Sequence, residues 1–215
     1  ISKLLGHDQQ IDIFCGSGNN GGDGLAIARL LLEQKHAVRV ILPRYGSNLS
    51  EDAERNYQYL KKLYPGVVTE INTMEELKSL HLEHHYAAVD ALFGTGLNKP
   101  LEGFLAEVVT FLNKNYKKII SIDIPSGLYA DKSSTDLLHI VRCNLCLSFQ
   151  MPKLAFLLPQ NQAYVPEFEI LDIGLSVEKQ AATDSHYYYV TGKEISQLLK
   201  PRLKFSHKGN FGHAL

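Results

Sequence analysis

Ile11-Asp12-Ile13-Phe14-Cys15, Gly16-Ser17-Gly18-Asn19-Asn20-Gly21-Gly22-Asp23-Gly24 and Leu25-Ala26-Ile27-Ala28-Arg29-Leu30-Leu31-Leu32-Glu33-Gln34 are consecutive, without a break. The first stretch is an apolar run of strand length, the second a glycine-rich turn, and the third carries apolar residues at helical spacing. Toward the C-terminus the same alternation continues. Val38–Leu42 reads as a second strand and Glu51–Leu63 as a polar helix with Tyr57, Leu60 and Tyr64 on one face. Val67–Ile71 is a third strand, followed by a charged helix over Met74–Leu82. Ala87–Leu92 is a fourth strand, Leu105–Leu112 a helix and Lys118–Ile124 a fifth strand. Ile140–Phe149 and Phe168–Ile173 supply two more. Strands alternating with helices imply βαβ units, a mostly parallel sheet and helices on both faces. The expected fold is a Rossmann-like three-layer α/β sandwich.

Two places break the alternation. Tyr129–Asp136 is polar and reads as an exposed loop. From Ser185 the character changes to a Tyr187-Tyr188-Tyr189-Val190 strand, a short helix over Glu194–Leu199, then Pro201 and a glycine-rich end. That tail reads as a linker.

The bulk composition excludes several function classes. With 215 residues, 45% of them hydrophobic and 21% charged, one domain can bury a large core. A formal net charge of −1 offers no electrostatic footprint for nucleic acid or for an anionic membrane. No apolar run is long enough to span a bilayer and the start does not read as a signal peptide, so neither nucleic acid nor membrane is an expected partner. Of the three cysteines, Cys143 and Cys146 form a C-x-x-C inside an apparent strand, where odd spacing sends the side chains to opposite faces. They read as core residues in a reducing, cytoplasmic setting.

In open parallel sheets ligands bind beyond the carboxyl ends of the strands. Four polar, turn-rich segments come after strands here. They are Gly16 to Gly24, Asp90 with Gly94-Thr95-Gly96-Leu97, Asp123-Ile124-Pro125-Ser126-Gly127, and Gln150-Met151-Pro152-Lys153. All four fall on one edge of the sheet. Gly16, Gly18 and Gly21 satisfy the dinucleotide pattern G-x-G-x-x-G. Two features argue against that use. The second strand ends in Leu42-Pro43-Arg44, without the acidic residue a ribose needs, and Asp23 is placed where it would compete with a pyrophosphate for helix N-terminal amides. A bland alternative makes the glycines a tight turn and Asp23 an N-cap. The oxygens of Asn20, Asp90 and Ser126, with glycine-turn carbonyls, suit a hard cation, and one carboxylate among them suits a monovalent ion. His81, His84 and His85 are most simply a solvated face.

These segments, with Val89-Asp90-Ala91-Leu92-Phe93-Gly94-Thr95-Gly96-Leu97, Ile122-Asp123-Ile124-Pro125-Ser126-Gly127 and Met151-Pro152-Lys153 in this order, resemble the NAD(P)H-hydrate epimerase family, the YjeF N-terminal domain, from about Ile11 to Gly174. Ser206 to Leu215 looks like the opening of an ADP- or ATP-dependent NAD(P)H-hydrate dehydratase domain. The implied layout is an epimerase domain over 1–176, a linker over 177–205 and the start of a dehydratase domain over 206–215. The resemblance implies isomerase activity on the R and S epimers of hydrated NADH and NADPH. It places Asn19, Asn20, Gly21, Gly22 and Asp23 with Gly94, Thr95, Gly96, Leu97, Asn98, Lys99 and Pro100 on the substrate pocket. It gives potassium to Asn20, Asp90 and Ser126, proton transfer and substrate binding to Asp123, and a supporting catalytic role to Lys153. ADP or ATP would act only through the dehydratase domain of a longer, bifunctional chain, and a homo-oligomer is expected. The rival reading is a catalytically silent scaffold of the same fold, used for dimerisation or RNA binding. It predicts a damaged potassium triad and a basic surface; here the triad is present and the charge balance is near neutral.

Overall fold

The computed structural model describes residues 1–2, 4–5, 9–46, 48–82, 87–134, 138–199 and 204–211. His84, His85, Asp136 and Gly212 to Leu215 lie outside them. The chain divides into two compact units, Ile1–Leu175 and Ser176–Leu215.

The first unit is built on seven parallel strands: β1 (Ile11–Cys15), β2 (Val38–Pro43), β3 (Val68–Ile71), β4 (Ala87–Ala91), β5 (Lys118–Ile122), β6 (Leu145–Phe149) and β7 (Phe168–Leu171). Their order is β3-β2-β1-β4-β5-β6-β7. The chain therefore leaves β1 in one direction to build β2 and β3, then returns to the other side of β1 for β4. Between β1 and β4 the direction of winding reverses, and a crevice opens at the carboxyl ends of those two strands.

The two-residue period of the strands sorts side chains into two cores. Ile11, Ile13 and Cys15 of β1, with Val89 and Ala91 of β4, pack against Leu25, Ala28 and Leu31 of α1 (Asn19–Glu33) and Ala53, Tyr57 and Leu60 of α2 (Glu51–Leu63). Phe14 and Ala88 face the other way. There they meet Leu77 of α3 (Met74–Ser79) and Val108, Val109 and Leu112 of α4 (Gly103–Asn115). Helices thus cover both faces, as the alternation requires.

Three expected elements differ. The helix after β1 begins at Asn19, so two thirds of the glycine-rich segment is helical rather than loop. The strand expected over Ile140–Phe149 is paired only from Leu145. Before it, the Cys143 amide and thiol both turn to the Tyr164 carbonyl, at 3.2 and 3.1 Å, which takes that stretch out of the ladder. Cys143 and Cys146 consequently share one core cluster instead of facing opposite sides. All three cysteines are free and buried, and burial pushes the Cys143 thiol up to about 12.

The second unit holds α5 (Val177–Ala181), α6 (Gly192–Leu198) and a 3-10 turn over Lys208–Phe211. Thr191 and Glu194 close a reciprocal capping box on α6. Tyr187 to Val190 form no strand. A strand must spend its amides on a neighbour, and these residues have none among the described residues; their side chains are exposed.

Candidate active site at the carboxyl edge

The end of β1 can pass close to β4 only because Gly16 has no side chain: a Cβ there would lie 1.8 Å from the Leu92 carbonyl oxygen. Gly21 repeats the arrangement one turn later, 1.8 Å from the carbonyl of Gly16, and Gly22 lets Ala53 of α2 approach. Gly21 and Gly22 are therefore buried packing positions; they were expected on the pocket wall and do not reach it. Close packing turns α1 so that Gly18, Asn19, Asn20 and Asp23 reach the crevice.

Gly18 is the N-cap, without a side-chain cap, and the first turn contains no acidic residue. Asp23 is the fifth residue of the helix, so it is not the cap. Nor does it compete for the free amides, although it lines the same crevice. No acidic residue directly follows β2, where Arg44 pairs with Glu70 at 3.4 Å.

The crevice encloses about 720 Å³. Its far wall is the whole expected segment from Gly94 to Pro100, continued by Leu101, Glu102 and Leu105. Tyr45 is a wall residue that no sequence motif marks. It lies just beyond β2, lines the cleft, shares a 2.6 Å hydrogen bond with the Ser17 hydroxyl and tilts against Phe93 with ring centroids 5.8 Å apart. Its position just past a strand's carboxyl end is the signal that could have found it, had β2 been treated like the other four strands.

Asn20 lines the cleft, and Asp90 and Ser126 are buried at the end of β4 and in the turn after β5. Asp90 is fully buried and accepts four hydrogen bonds: from the Ser121 hydroxyl (2.8 Å), the Ser126 amide (2.9 Å) and hydroxyl (2.6 Å), and the Leu92 amide (3.3 Å). Burial raises its carboxyl above the ordinary range and these donors oppose the rise. Ser126 Oγ also accepts from the Phe93 amide at 2.9 Å, tying β4's turn to β5's. Asn20 is only 7% exposed, and neither its Oδ1 nor its Nδ2 has a hydrogen-bond partner among the described residues. A buried amide left unpaired costs about 1–3 kcal/mol, so both polar atoms of Asn20 are open to a ligand or to solvent.

Asp123 comes directly after β5 with φ of 65°, a left-handed conformation rare for a non-glycine residue. Its amide is held by the Leu147 carbonyl at 2.7 Å, and its carboxylate is ion-paired with Lys153 at 2.9 Å. The Lys153 ammonium also donates to the Phe149 carbonyl at 3.1 Å, so it is anchored from β6's end and aimed at Asp123. Asp123 lines the cleft; Lys153 stands behind it. A Cβ on Gly94 would lie 3.3 Å from the Asn20 Cβ and 3.4 Å from Asp123 Oδ2. Gly94 thus keeps open the space where Asn20 and Asp123 meet.

Fold and cleft together define a Rossmann-like α/β domain with a polar pocket at its topological switch point, where a strained, ion-paired carboxylate faces the substrate space. The chain belongs to the YjeF-related N-terminal family: residues 1–155 match it. The bifunctional NAD(P)H-hydrate repair enzyme Nnr of Thermofilum pendens is 35% identical over 215 residues, covering 99% of this chain and 40% of that protein. An NAD(P)H-hydrate epimerase of Anaerococcus prevotii is 36% identical over 143 residues, 66% of this chain and 65% of that protein. The crystal structure of yeast ynu0 shares the fold, with a TM-score of 0.67 at 22% identity over 87% of this chain and 76% of that one. The chain spans about 40% of the length of the bifunctional relatives it matches.

Proposed function

We propose that this chain is an NAD(P)H-hydrate epimerase, interconverting the R and S epimers of hydrated NADH and NADPH. The observation that carries the reading is Asp123, held in a strained conformation against Lys153 at the wall of a switch-point cleft in a chain of this family. The substrate's carbon 6 bears both a hydroxyl and the ring nitrogen. Inverting it without redox needs water to leave and return, or the ring to open and close, and either route needs a group that gives and takes a proton. Asp123 is placed to do so, and Lys153 fixes the orientation of its carboxylate. Asn19, Asn20, Asp23 and the segment Gly94 to Pro100 bind the cofactor on either side.

A potassium ion fits the base of the cleft. The orphaned amide oxygen of Asn20, the Asp90 carboxylate and the Ser126 hydroxyl are oxygen donors with a single charge among them, the set a monovalent hard cation takes. When bound, the ion would offset phosphate charge and brace the turns that these residues tie together.

The reading extends to the whole protein. Residues 1–176 form the epimerase domain, 177–205 a linker, and 206–215 the opening of an ADP- or ATP-dependent dehydratase domain in a longer chain; the assembly is a homo-oligomer and its compartment the reducing cytoplasm. Limited proteolysis should cut between Val177 and Phe205 and leave an active core, and a segment as resistant as the core would overturn the boundary. The direct test supplies purified S or R hydrate of NADH and follows the other epimer by chromatography. No interconversion above the buffer rate would refute the enzyme and favour a silent scaffold.

A further inference from the structure

Asp23 is a carboxylate without a structural task. It is too far into α1 to cap it, and it makes no hydrogen bond or ion pair among the described residues. It sits on the cleft wall one helical turn from Asn19 and Asn20, on the same face of the helix. Its carboxyl is held above the ordinary value, first by desolvation in that wall and then by the negative charges of Asp123 and Asp52. An exposed carboxylate on the cleft wall, with no partner on its own helix and two like charges nearby, contributes nothing to stability.

We propose that Asp23 is the second proton-transferring residue of the cleft, serving the face of the substrate's carbon 6 opposite the one served by Asp123; this rests on the epimerase reading. The two carboxylates come from different elements, α1 and the turn after β5, and both line the cleft, with Gly94 keeping open the space between Asp123 and Asn20, one helical turn before Asp23. One is matched by a lysine at 2.9 Å and the other is unmatched. Pairs of acids in contrasting environments are how one pocket supplies a proton donor and a proton acceptor together.

The chemistry balances with water alone. The protonated carboxyl gives its proton to the carbon 6 hydroxyl, the C–O bond breaks with its electron pair going to oxygen, and water leaves. The lone pair of the ring nitrogen forms the N=C bond of an iminium. A second water adds an oxygen lone pair to carbon 6 from the opposite face, the double-bond pair returns to nitrogen, and the other carboxylate takes the proton. One water leaves and one enters, no redox change occurs, and the enzyme is then set for the reverse direction.

The test is the Asp23→Asn variant, assayed in ¹⁸O-labelled water with each pure epimer. Both inversion and oxygen exchange at carbon 6 are followed by mass spectrometry. Asparagine keeps the size, and the position is an exposed helix surface, so the fold is retained. Inversion should fall at least about 100-fold. Exchange from one epimer should stay within about tenfold of the native rate, because water can still leave and return on the face of Asp123. Asp123→Asn should show the reverse epimer preference. Inversion within about threefold of native in Asp23→Asn would refute the proposal and leave the epimerase reading intact. So would equal loss of inversion and exchange from both epimers. A native chain that does neither reaction refutes both.

Discussion

Asp12 on β1 and Asp90 on β4 are both fully buried, on the same face of adjacent strands, two register positions apart: Asp12 lies opposite Ala88 and Asp90 opposite Phe14. Their surroundings diverge. Toward the amino edge, Asp12 receives the Tyr116 hydroxyl at 2.9 Å, with the Arg39 guanidinium 3.7 Å away, and Arg39 also donates to the Leu80 carbonyl. Those contacts tie β1, β2 and the ends of α3 and α4 together. Toward the carboxyl edge, Asp90 gathers donors from β5 and two turns, and the same edge carries an unpaired amide and a left-handed aspartate. One edge spends its polar groups on holding the fold; the other holds some of them ready for a ligand. An unpaired amide and a left-handed aspartate at the cleft are repaid only by a bound molecule.

The contrast between the two edges is tested hardest by Asp123→Asn. Asparagine cannot exchange a proton at neutral pH, so epimerisation should fall about 10²- to 10⁴-fold. The melting temperature should stay near native, since the amide still reaches Lys153's surroundings. A variant keeping most of its rate would remove Asp123 from the chemistry and make the carboxyl edge no more functional than the amino one.

Asp90→Asn should move stability instead. Each Asp90 oxygen accepts a backbone amide, Oδ2 from Ser126 and Oδ1 from Leu92. Whichever way asparagine is flipped, its NH₂ faces one of those N–H groups. The clash should cost about 1–3 kcal/mol, roughly 2–12 °C for a domain of this size. Exchanging potassium for a bulky organic cation should lower the melting temperature of the native protein, and do so much less in Asp90→Asn. Equal sensitivity in the two proteins would remove potassium from Asp90.

The fold was legible in the sequence because strand and helix periods are local: Ile11–Cys15 is the first strand residue for residue, and every strand-end turn singled out lies on the carboxyl edge. What was not legible depended on contacts between segments distant in the chain. Gly21 and Gly22 look like pocket glycines until Gly16 and Ala53 are seen against them. Tyr45 acquires its place only through Ser17, and Cys143 leaves its strand only because Tyr164 captures it. Tyr187 to Val190 have strand composition without a strand to pair with, which no local pattern reveals. Asp12 was invisible as a polar anchor because its donor, Tyr116, is 104 residues away.

The amino edge gives the smallest effect and the one with a pH signature. Tyr116→Phe removes the hydroxyl on Asp12 while keeping the ring that packs edge-on against Phe14 at 5.8 Å. At neutral pH it should cost about 1–2 kcal/mol and leave epimerisation unchanged. Burial, then the Asp12 charge, raises the Tyr116 phenol above its ordinary value of 10.0. A raised folded value means the native state keeps a proton that the unfolded chain releases, so the contribution is whole below about pH 10 and is lost as pH rises beyond it. Native protein should therefore lose stability faster than the variant above pH 10, and the gap between their melting temperatures should narrow. The other tyrosines titrate alike in both proteins and cancel in the difference. A gap that stays constant from pH 8 to about pH 11 would mean that Tyr116 is not held protonated. A loss of epimerase activity in Tyr116→Phe would mean that the two edges are not separate in function.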